Sequence, residues 1–339
     1  MTMATAKNPS PMQNRTSGRV IVTGGAGYVG SHAVLALRAR GWNVSVVDDL
    51  STGNRRLVPT DVPLHVGDAG SPEIMTPLLT PCPDAVMHFA ASISVPESVA
   101  NPDKYLRNNF EVSQRLVKMC MAAGVKHFVF SSTASVYGMP ERMPIDEDTP
   151  LHPINPYGQT KLMTETLLRD PGTTLRHVAL RYFNVAGADA DGRAGQIAQN
   201  STNLIKAVAE LAAGNRPELI VHGTDYPTPD GTCIRDYIHV SDVADAHVAA
   251  LDYLLAGGES AVMNCGYGRG FSVLDVLAAA DRAEGRHLTY RTGPRRPGDP
   301  PALIAEIGRI RRVLGWTPIR DDLDLMVRSA IAWERSLAR

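Results

Sequence analysis

The sequence predicts an α/β protein with a doubly wound parallel sheet and a smaller mixed α/β domain toward the C-terminus. Between Arg19 and Asn184, short apolar runs rich in β-branched residues alternate with stretches of helical periodicity. This alternation is typical of a parallel sheet with helices on both faces. A glycine-rich turn at residues 24–30 joins the first run to the first helix. Glycine, proline, asparagine and aspartate accumulate at 187–203 and 225–231, as in loops that lie over a site.

The predicted elements follow this alternation in chain order. Strands are predicted at Val20–Thr23, Val44–Val47, Asp84–Phe89, Phe128–Phe130 and Val178–Phe183. Helices are predicted at Val29–Arg40, Tyr105–Ala123 and Tyr157–Arg169, and near Leu204–Gly214 and Val240–Leu255. The predicted domains are a disordered tail at 1–18, a sheet domain at 19–184 to which about 232–265 returns, and a second domain at 185–339.

Composition and charge exclude several classes of function. The 339 residues include 34 lysines and arginines against 35 aspartates and glutamates, so the net charge is −1. Because this balance provides no general attraction to polyanions, we expect neither a nucleic-acid nor a membrane partner. The four cysteines lack a zinc-binding spacing, and the chain has neither a secretory signal nor an apolar run long enough to cross a membrane. We therefore expect a cytoplasmic protein with reduced thiols and no metal.

The glycine-rich turn is the first motif that indicates chemistry. Gly25, Gly27 and Gly30 have the G-x-G-x-x-G spacing directly after a predicted strand and before a predicted helix, and Gly24 precedes them. Glycine makes such a turn tight and lets the helix N-terminus approach a pyrophosphate. Asp48 ends the second predicted strand, where a carboxylate binds the adenosine ribose and repels a 2′-phosphate. The motif therefore predicts a dinucleotide site that prefers NAD to NADP.

A tyrosine and a lysine form the second motif. Tyr157 and Lys161 are spaced i, i+4 at the start of a predicted helix, so they lie on one face. A phenol is a poor base at neutral pH, but a nearby ammonium group and the positive nicotinamide of NAD⁺ would stabilise the phenolate. Thr133 lies at the carboxyl edge of a preceding strand, where parallel sheets bind ligands, and its hydroxyl can share a proton with Tyr157.

Further motifs in the chain resemble those of a known family. They are Thr23–His32, His88–Ala90, Asn108–Asn109, Ser131–Gly138, Pro156–Lys161, Leu180–Asn184, Arg235–Val240 and Arg295–Asp299. With these motifs in order, the chain resembles the nucleotide-sugar 4-epimerases of the extended short-chain dehydrogenase/reductase family. The resemblance implies a Rossmann domain that binds NAD, a smaller domain that binds a UDP-sugar, and a homodimer. It also implies reversible 4-epimerisation of a UDP-hexose, such as UDP-glucose and UDP-galactose, through a transient 4-keto sugar.

The resemblance assigns roles to individual residues. Thr133 is the hydroxyl partner, Tyr157 the base and acid, and Lys161 the group that holds the nicotinamide ribose. The implied cofactor-binding residues are Gly24, Gly27, Tyr28, Val29, Gly30, Asp48, Asp49, Asp68, Ala69, Phe89, Ala90, Asn108, Ser131, Tyr157 and Lys161. The implied substrate-binding residues are Thr133, Tyr157, Asn184, Asn203, Leu204, Arg235, Arg296, Asp299 and Leu303. The two arginines suit a pyrophosphate because a guanidinium group donates paired hydrogen bonds.

Two positions depart from the family's better-known bacterial pattern. Ile93 stands where that pattern has a lysine that contacts NAD, so one cofactor contact is missing. Leu303 stands at a sugar-pocket position that is tyrosine in glucose-restricted members. Because of the second departure, the sequence does not determine whether the sugar of the substrate is a hexose, an N-acetylated hexosamine, a uronate or a pentose.

Two alternative functions are less consistent with the same motifs. A nucleotide-sugar dehydratase or decarboxylase carries an acid just after the active-site threonine, whereas Ala134 and Ser135 follow Thr133 here. A non-catalytic NAD sensor on this fold usually lacks the tyrosine or the lysine, and both are present here. The sequence therefore favours an epimerase.

Overall fold

The computed structural model describes residues 18–198, 201–296 and 298–337. The tail predicted at residues 1–18 therefore lies outside the described residues, apart from Gly18. None of the helices within the described ranges is both long and apolar enough to cross a membrane.

The central sheet is parallel and contains seven strands. In chain order, the strands of the protein are β1 (Arg19–Thr23), β2 (Asn43–Asp48), β3 (Leu64–Val66), β4 (Ala85–His88), β5 (His127–Thr133), β6 (Arg176–Tyr182), β7 (Asn184–Ala186), β8 (Ile220–His222), β9 (Ile234–Arg235), β10 (Tyr237–His239), β11 (Ala261–Cys265), β12 (Phe271–Ser272), β13 (Arg291–Gly293) and β14 (Ala302–Leu303). The order in the central sheet is β11-β6-β5-β4-β1-β2-β3. The order reverses beside β1, and ligands of such sheets bind at the carboxyl ends of the strands near this point.

Helices cover both faces of this sheet. In chain order, the helices of the protein are α1 (Tyr28–Ala39), α2 (Pro72–Leu78), α3 (Val95–Ala100), α4 (Pro102–Tyr105), α5 (Val112–Ala122), α6 (Pro156–Arg169), α7 (Leu204–Ala212), α8 (Val240–Leu255), α9 (Val273–Glu284), α10 (Gly308–Leu314) and α11 (Leu323–Leu337). Alternate residues of β1 face opposite sides: Val20 and Val22 pack in one core with α1 and α8, and Ile21 packs in the other with α2 and α5. The predicted doubly wound architecture is confirmed.

The predicted long helix at Tyr105–Ala123 is interrupted. Only its first residue, Tyr105, belongs to the short α4, its last part is α5, and the six residues Leu106–Glu111 between them form a π-helical turn. Such turns are rare overall, and those that do occur are often found at functional sites. This one contains Asn108, a predicted cofactor residue. Sequence periodicity could not reveal the turn, because the apolar spacing differs little between the two kinds of helix.

Short strands outside the central sheet hold the smaller C-terminal part together. β7 pairs with β10, β9 lies between β12 and β14, and β8 pairs with β13. Register places Leu303 on β14 beside Arg235 on β9, and Asn184 on β7 beside Tyr237 on β10. These pairings bring predicted substrate residues from distant segments into one region.

Candidate active site

The glycine-rich turn packs so closely against its neighbours that two of its positions have no room for a side chain. Gly24 has a φ of +72°, which favours glycine, and a Cβ there would lie 2.4 Å from the backbone nitrogen of Ala90. A Cβ at Gly30 would lie 2.1 Å from the carbonyl oxygen of Gly24. Any side chain at either position would push the turn away from β4 or from α1. The glycines are therefore required by the close packing of strand, turn and helix.

The first turn of α1 faces the carboxyl edge of the sheet. Gly27 is the N-cap residue and has no side chain to cap the helix, so the first N–H groups, including those of Tyr28 and Val29, have no side-chain cap. Such a helix start favours an anionic group. The hydroxyl of Tyr28 donates to the carbonyl oxygen of Gly187 at 2.6 Å, so this side chain ties the helix to the loop that follows β7.

Asp48 lies beside this turn at the end of β2. It is 6% exposed, and its carboxylate accepts hydrogen bonds from the N–H groups of Ala26 and Leu50, both at 2.9 Å. Burial raises the pKa of Asp48, while these two hydrogen bonds oppose the rise. Gly53 packs against the carboxylate so closely that a Cβ there would lie 2.5 Å from it. The carboxylate is thus fixed at the rim of the cleft.

A cleft opens between these elements. It contains most of the predicted cofactor residues, namely Gly24, Gly27, Asp48, Asp49, Asp68, Ala69, Phe89, Ala90 and Asn108. It is also lined by residues that sequence reasoning missed, among them Ser51, Thr52, Gly53, Gly67 and Ala91. The loop after Asp48 could have been inferred, because it continues directly from the predicted ribose-binding carboxylate. The other six predicted cofactor residues lie outside this lining: Tyr28, Val29, Gly30, Ser131, Tyr157 and Lys161.

The predicted catalytic residues meet where β5 ends and α6 begins. Asn155 caps α6 by accepting a hydrogen bond from the N–H of Gly158 at 2.9 Å. This cap places Tyr157 in the first turn and Lys161 one turn later. The hydroxyl of Thr133 lies close enough to that of Tyr157 to favour the phenolate, which lowers the pKa of Tyr157. The ammonium group of Lys161 donates to the carbonyl oxygen of Ser131 at 2.8 Å. The three predicted catalytic residues therefore form one group at the carboxyl edge of the sheet.

Burial dominates the electrostatics of this group. It raises the pKa of Tyr157 to about 12, and the hydrogen bond from Thr133 opposes the rise. It lowers the pKa of Lys161 to about 7, while the negative charge of Glu165 opposes the fall. Desolvation is thus the largest influence on the pKa of the phenol, and its lowering by Lys161 together with the positive nicotinamide of NAD⁺ stays a prediction. His88 is neutral, since burial lowers its pKa to about 3.

Tyr182 is a further residue at this position that sequence reasoning missed. Its hydroxyl forms a hydrogen bond with the hydroxyl of Ser131, whose carbonyl oxygen accepts from Lys161. β5 and β6 pair in register with Thr133 beside Tyr182. The motif that contains Tyr182 was noted, but nothing in its spacing indicated that the phenol would reach Ser131.

The predicted substrate residues gather around β7, β9 and β14. Arg235 is 8% exposed, forms an ion pair with Asp299, and lies beside Leu303 in the sheet register. Asn203 caps α7 directly before Leu204, and its side-chain amide donates to the carbonyl oxygen of Val185 on β7 at 2.8 Å.

Arg296 and Asn184 are less closely joined to this group. Arg296 is exposed, and its carbonyl oxygen accepts from the N–H of Asp299 at 3.2 Å. Asn184 begins β7 and is continuous with the end of β6 through Phe183. This continuity connects the substrate residues to the strand that lies beside Thr133.

Comparisons with known proteins identify the family of this chain. Residues 20–266 match the model of the NAD dependent epimerase/dehydratase family. The chain belongs to this family. A UDP-glucose 4-epimerase of Azospirillum brasilense is 56% identical over 328 residues, which are 96% of this chain and 94% of that protein.

Solved structures of the epimerase/dehydratase family have the same fold. A UDP-glucose 4-epimerase of Brucella ovis in complex with NAD is 42% identical with a TM-score of 0.91, covering 94% of this chain and 98% of that one. The UDP-Glc/GlcNAc 4-epimerase of Campylobacter jejuni is 43% identical with a TM-score of 0.82, covering 94% and 99% of the two chains. The similarity extends beyond the Rossmann domain to nearly the whole chain.

Proposed function

We propose that the protein is an NAD-dependent 4-epimerase of a UDP-hexose, interconverting UDP-glucose and UDP-galactose. The observation that carries the proposal is the meeting of Thr133, Tyr157 and Lys161 at the sheet edge that also carries the glycine-rich turn. The naming of close relatives, 56% and 44% identical, as UDP-glucose 4-epimerases supports it.

The residues of the cleft fit NAD. A Cβ at Gly24 or Gly30 would fill the space where backbone approaches backbone, and the uncapped start of α1 suits a pyrophosphate. The buried Asp48 carboxylate suits ribose hydroxyls and opposes a 2′-phosphate. When bound, NAD accepts a hydride from C4 of the sugar and returns it, so the net redox change is zero.

The chain's own residues move the proton and hold the substrate. Tyr157 takes the proton of the 4-hydroxyl group and returns it after the ketone has turned over, while Thr133 shares a hydrogen bond with the same oxygen. Lys161 stabilises the phenolate through its positive charge. General base catalysis of this kind contributes about 10²- to 10⁴-fold to the rate.

The substrate diphosphate is bound by arginine side chains. The buried guanidinium of Arg235, oriented by Asp299, can donate two hydrogen bonds to phosphate oxygens. Arg296 is exposed on the segment that precedes Asp299, and we propose that it binds the outer side of the same diphosphate. This anchorage leaves the sugar free to present either face to the hydride acceptor.

A second activity, on the N-acetylated UDP-hexosamines, is favoured by Leu303. This half-buried leucine lies beside Arg235, and it is smaller than a tyrosine and has no hydroxyl. The Campylobacter jejuni relative is named a UDP-Glc/GlcNAc 4-epimerase. We expect minor but measurable activity on this pair beside the main activity on UDP-glucose and UDP-galactose.

A dehydratase is disfavoured by the side chains around Thr133. Ala134 and Ser135 follow it, and the buried carboxylate of Glu165 nearby is already bound by Arg181 and Ser132. It is therefore not free to assist the elimination of water.

The test is to incubate the purified protein with UDP-galactose and to follow the sugar by proton NMR and NADH by absorbance at 340 nm. We expect UDP-glucose to form to equilibrium without accumulation of NADH. A dehydrated 4-keto-6-deoxy product, or reduction of NAD without any epimer, would contradict the proposal.

We further propose a cytoplasmic homodimer formed through the region of α4 to α6. Leu106, in the turn between α4 and α5, is 39% exposed although it is apolar, and Val99 on α3, which packs against α4 and α6, is 64% exposed. All four cysteines are free thiols, and three of them are buried, as expected in a reducing compartment. Light scattering after size-exclusion chromatography will give the mass, and Leu106→Glu should shift it toward that of the monomer.

A further inference from the structure

A buried ion pair lies one helical turn beyond Lys161. Glu165 follows Lys161 by four residues on α6, so the two side chains lie on the same face. Its carboxylate accepts hydrogen bonds from the guanidinium of Arg181 at 2.9 and 2.5 Å and from the hydroxyl of Ser132 at 2.5 Å. The side chains of Arg181 and Glu165 are 2% and 0% exposed.

Hydrogen bonds join the ion pair to several elements near the catalytic residues. Arg181 lies on β6 and donates a further hydrogen bond to the hydroxyl of Tyr137 at 2.9 Å. That hydroxyl donates to the side-chain oxygen of Asn264 on β11 at 2.7 Å. Ser132 adds an anchor on β5. These hydrogen bonds therefore fix the position of the Glu165 carboxylate relative to Lys161.

Stability alone does not explain a charged pair at this position. Replacing a buried ion pair by well-packed apolar residues is often neutral or stabilising, because desolvation offsets the attraction between the charges. Lys161, by contrast, needs a counter-charge. It is 3% exposed, its hydrogen-bond acceptor is the neutral carbonyl of Ser131, and its ammonium group lies 4.9 Å from the ring centre of Phe130.

The charged and titratable groups near Lys161, Tyr157 and Glu165 come from several elements. His88 on β4 interacts electrostatically with Lys161, and Tyr105 on α4 packs against Tyr157. Arg169 on α6 and Arg181 on β6 both pair with Glu165, and Tyr182 on β6 bonds to Ser131. His88 is neutral, and the three phenols are neutral because burial raises their pKa values. Among these groups, Glu165 supplies the negative charge.

We propose that Glu165, held in place by Arg181, is a positioning residue that keeps Lys161 in its ammonium form, the form that stabilises the phenolate of Tyr157. This rests on the proposed function for the role of Tyr157. The charge of Lys161, however, can be measured without substrate. Removal of the carboxylate should leave Lys161 neutral at the pH where the enzyme works, and the phenol would then lose its cationic partner.

The test is an NMR titration of Lys161 in the NAD-loaded protein. The chain has six lysines, so labelling them with ¹³C at Cε gives a simple spectrum, and Lys161→Arg assigns the signal. Glu165→Gln should lower the titration midpoint of Lys161 by about one to three pH units. The alkaline limb of the profile of kcat against pH should move down with it. Glu165→Asp, which keeps the charge, should restore most of both.

Two further variants separate this role from a structural one. The double variant Glu165→Gln, Arg181→Met leaves no unpaired buried charge, so it tests the claim if the single variant does not fold. It should also titrate Lys161 at lower pH than the wild type. Glu334→Gln breaks the equally buried pair with Lys206 and should leave the Lys161 midpoint unchanged. An unchanged midpoint in a folded variant without Glu165 would overturn the proposal, even if activity fell, and would leave the proposed function standing.

Discussion

The cofactor cleft is shaped by the backbone, whereas the substrate region is held together by side chains from distant segments. At the cleft, Gly24, Gly30 and the start of α1 leave no room for side chains, and Asp48 is fixed by two backbone N–H groups. At the substrate region, the ion pair of Arg235 with Asp299 and the short pairing of β9 with β14 join separate parts of the chain.

The difference determines how each half should respond to substitution. In the cofactor cleft, substitutions should have little effect on NAD binding, except at the glycines and at Asp48. In the substrate region, a single substitution can change which sugar is preferred, while the fold is retained. Tyr157 belongs to the catalytic group at the end of β5, so its substitution should lower turnover far more than the binding of either ligand.

The largest effect is expected for Tyr157→Phe. Removal of the phenol oxygen should lower kcat by about 10²- to 10⁴-fold, because the general base is lost, while bound NAD is retained. Steady-state kinetics and the cofactor content of the purified variant check this. Tyr267→Phe removes another buried phenol, bound to Asp242, and serves as the control for lost hydrogen bonding. Turnover near the wild-type rate in Tyr157→Phe would refute the role of the phenol.

A selective effect is expected for Leu303→Tyr. A misplaced group in a pocket is worth about 1–3 kcal/mol, so kcat/KM for the N-acetylated pair should fall by about 10- to 200-fold while that for UDP-glucose and UDP-galactose is spared. Leu303→Met keeps the volume and is the control. Equal losses on both pairs would show that Leu303 does not line the side of the sugar that carries the N-acetyl group.

A loss of substrate affinity is expected for Arg235→Met. Hydrogen bonds to charged groups are worth about 1.5–3 kcal/mol, so the Kd for UDP should rise by about 10- to 100-fold. Isothermal titration with UDP measures this, and retained NAD shows that the cleft is intact. Arg269→Met changes a surface arginine paired with Asp321 and should not alter the affinity. Loss of NAD together with UDP affinity would mean that the two halves are not separable.

The smallest effect is expected for Asp48→Asn. The amide keeps an oxygen acceptor beside Ala26 but removes the negative charge. Since like-charge repulsion at the edge of a solvated cleft is worth about 1 kcal/mol, the preference for NAD over NADP should fall about fivefold. Competition between the two dinucleotides measures this, with Asp61→Asn as a surface control. An unchanged preference would assign the discrimination to another residue.

The same contrast explains how much could be predicted from the sequence. β1, the glycine turn, α1 and Asp48 fall within thirty residues, so local pattern sufficed to predict them. The catalytic group was also predictable, because parallel strands end at one edge of the sheet. β3 and β11 were not predicted, because β3 is only three residues long and β11 contains a polar residue, Asn264, before its last residue. The register of Arg235 beside Leu303 depends on long-range packing and leaves no local signal.

The central claim is that the cofactor cleft and the substrate region hold NAD and the sugar together at Tyr157. Hydrogen removed from C4 should therefore return to the same sugar. It is tested most directly by incubating the protein with a mixture of UDP-galactose deuterated at C4 and uniformly ¹³C-labelled UDP-galactose, and analysing the UDP-glucose by mass spectrometry. We predict that deuterium stays at C4 of the molecules that carried it and does not enter the ¹³C-labelled product. Loss of deuterium to water, or its transfer to the ¹³C-labelled sugar, would contradict the account.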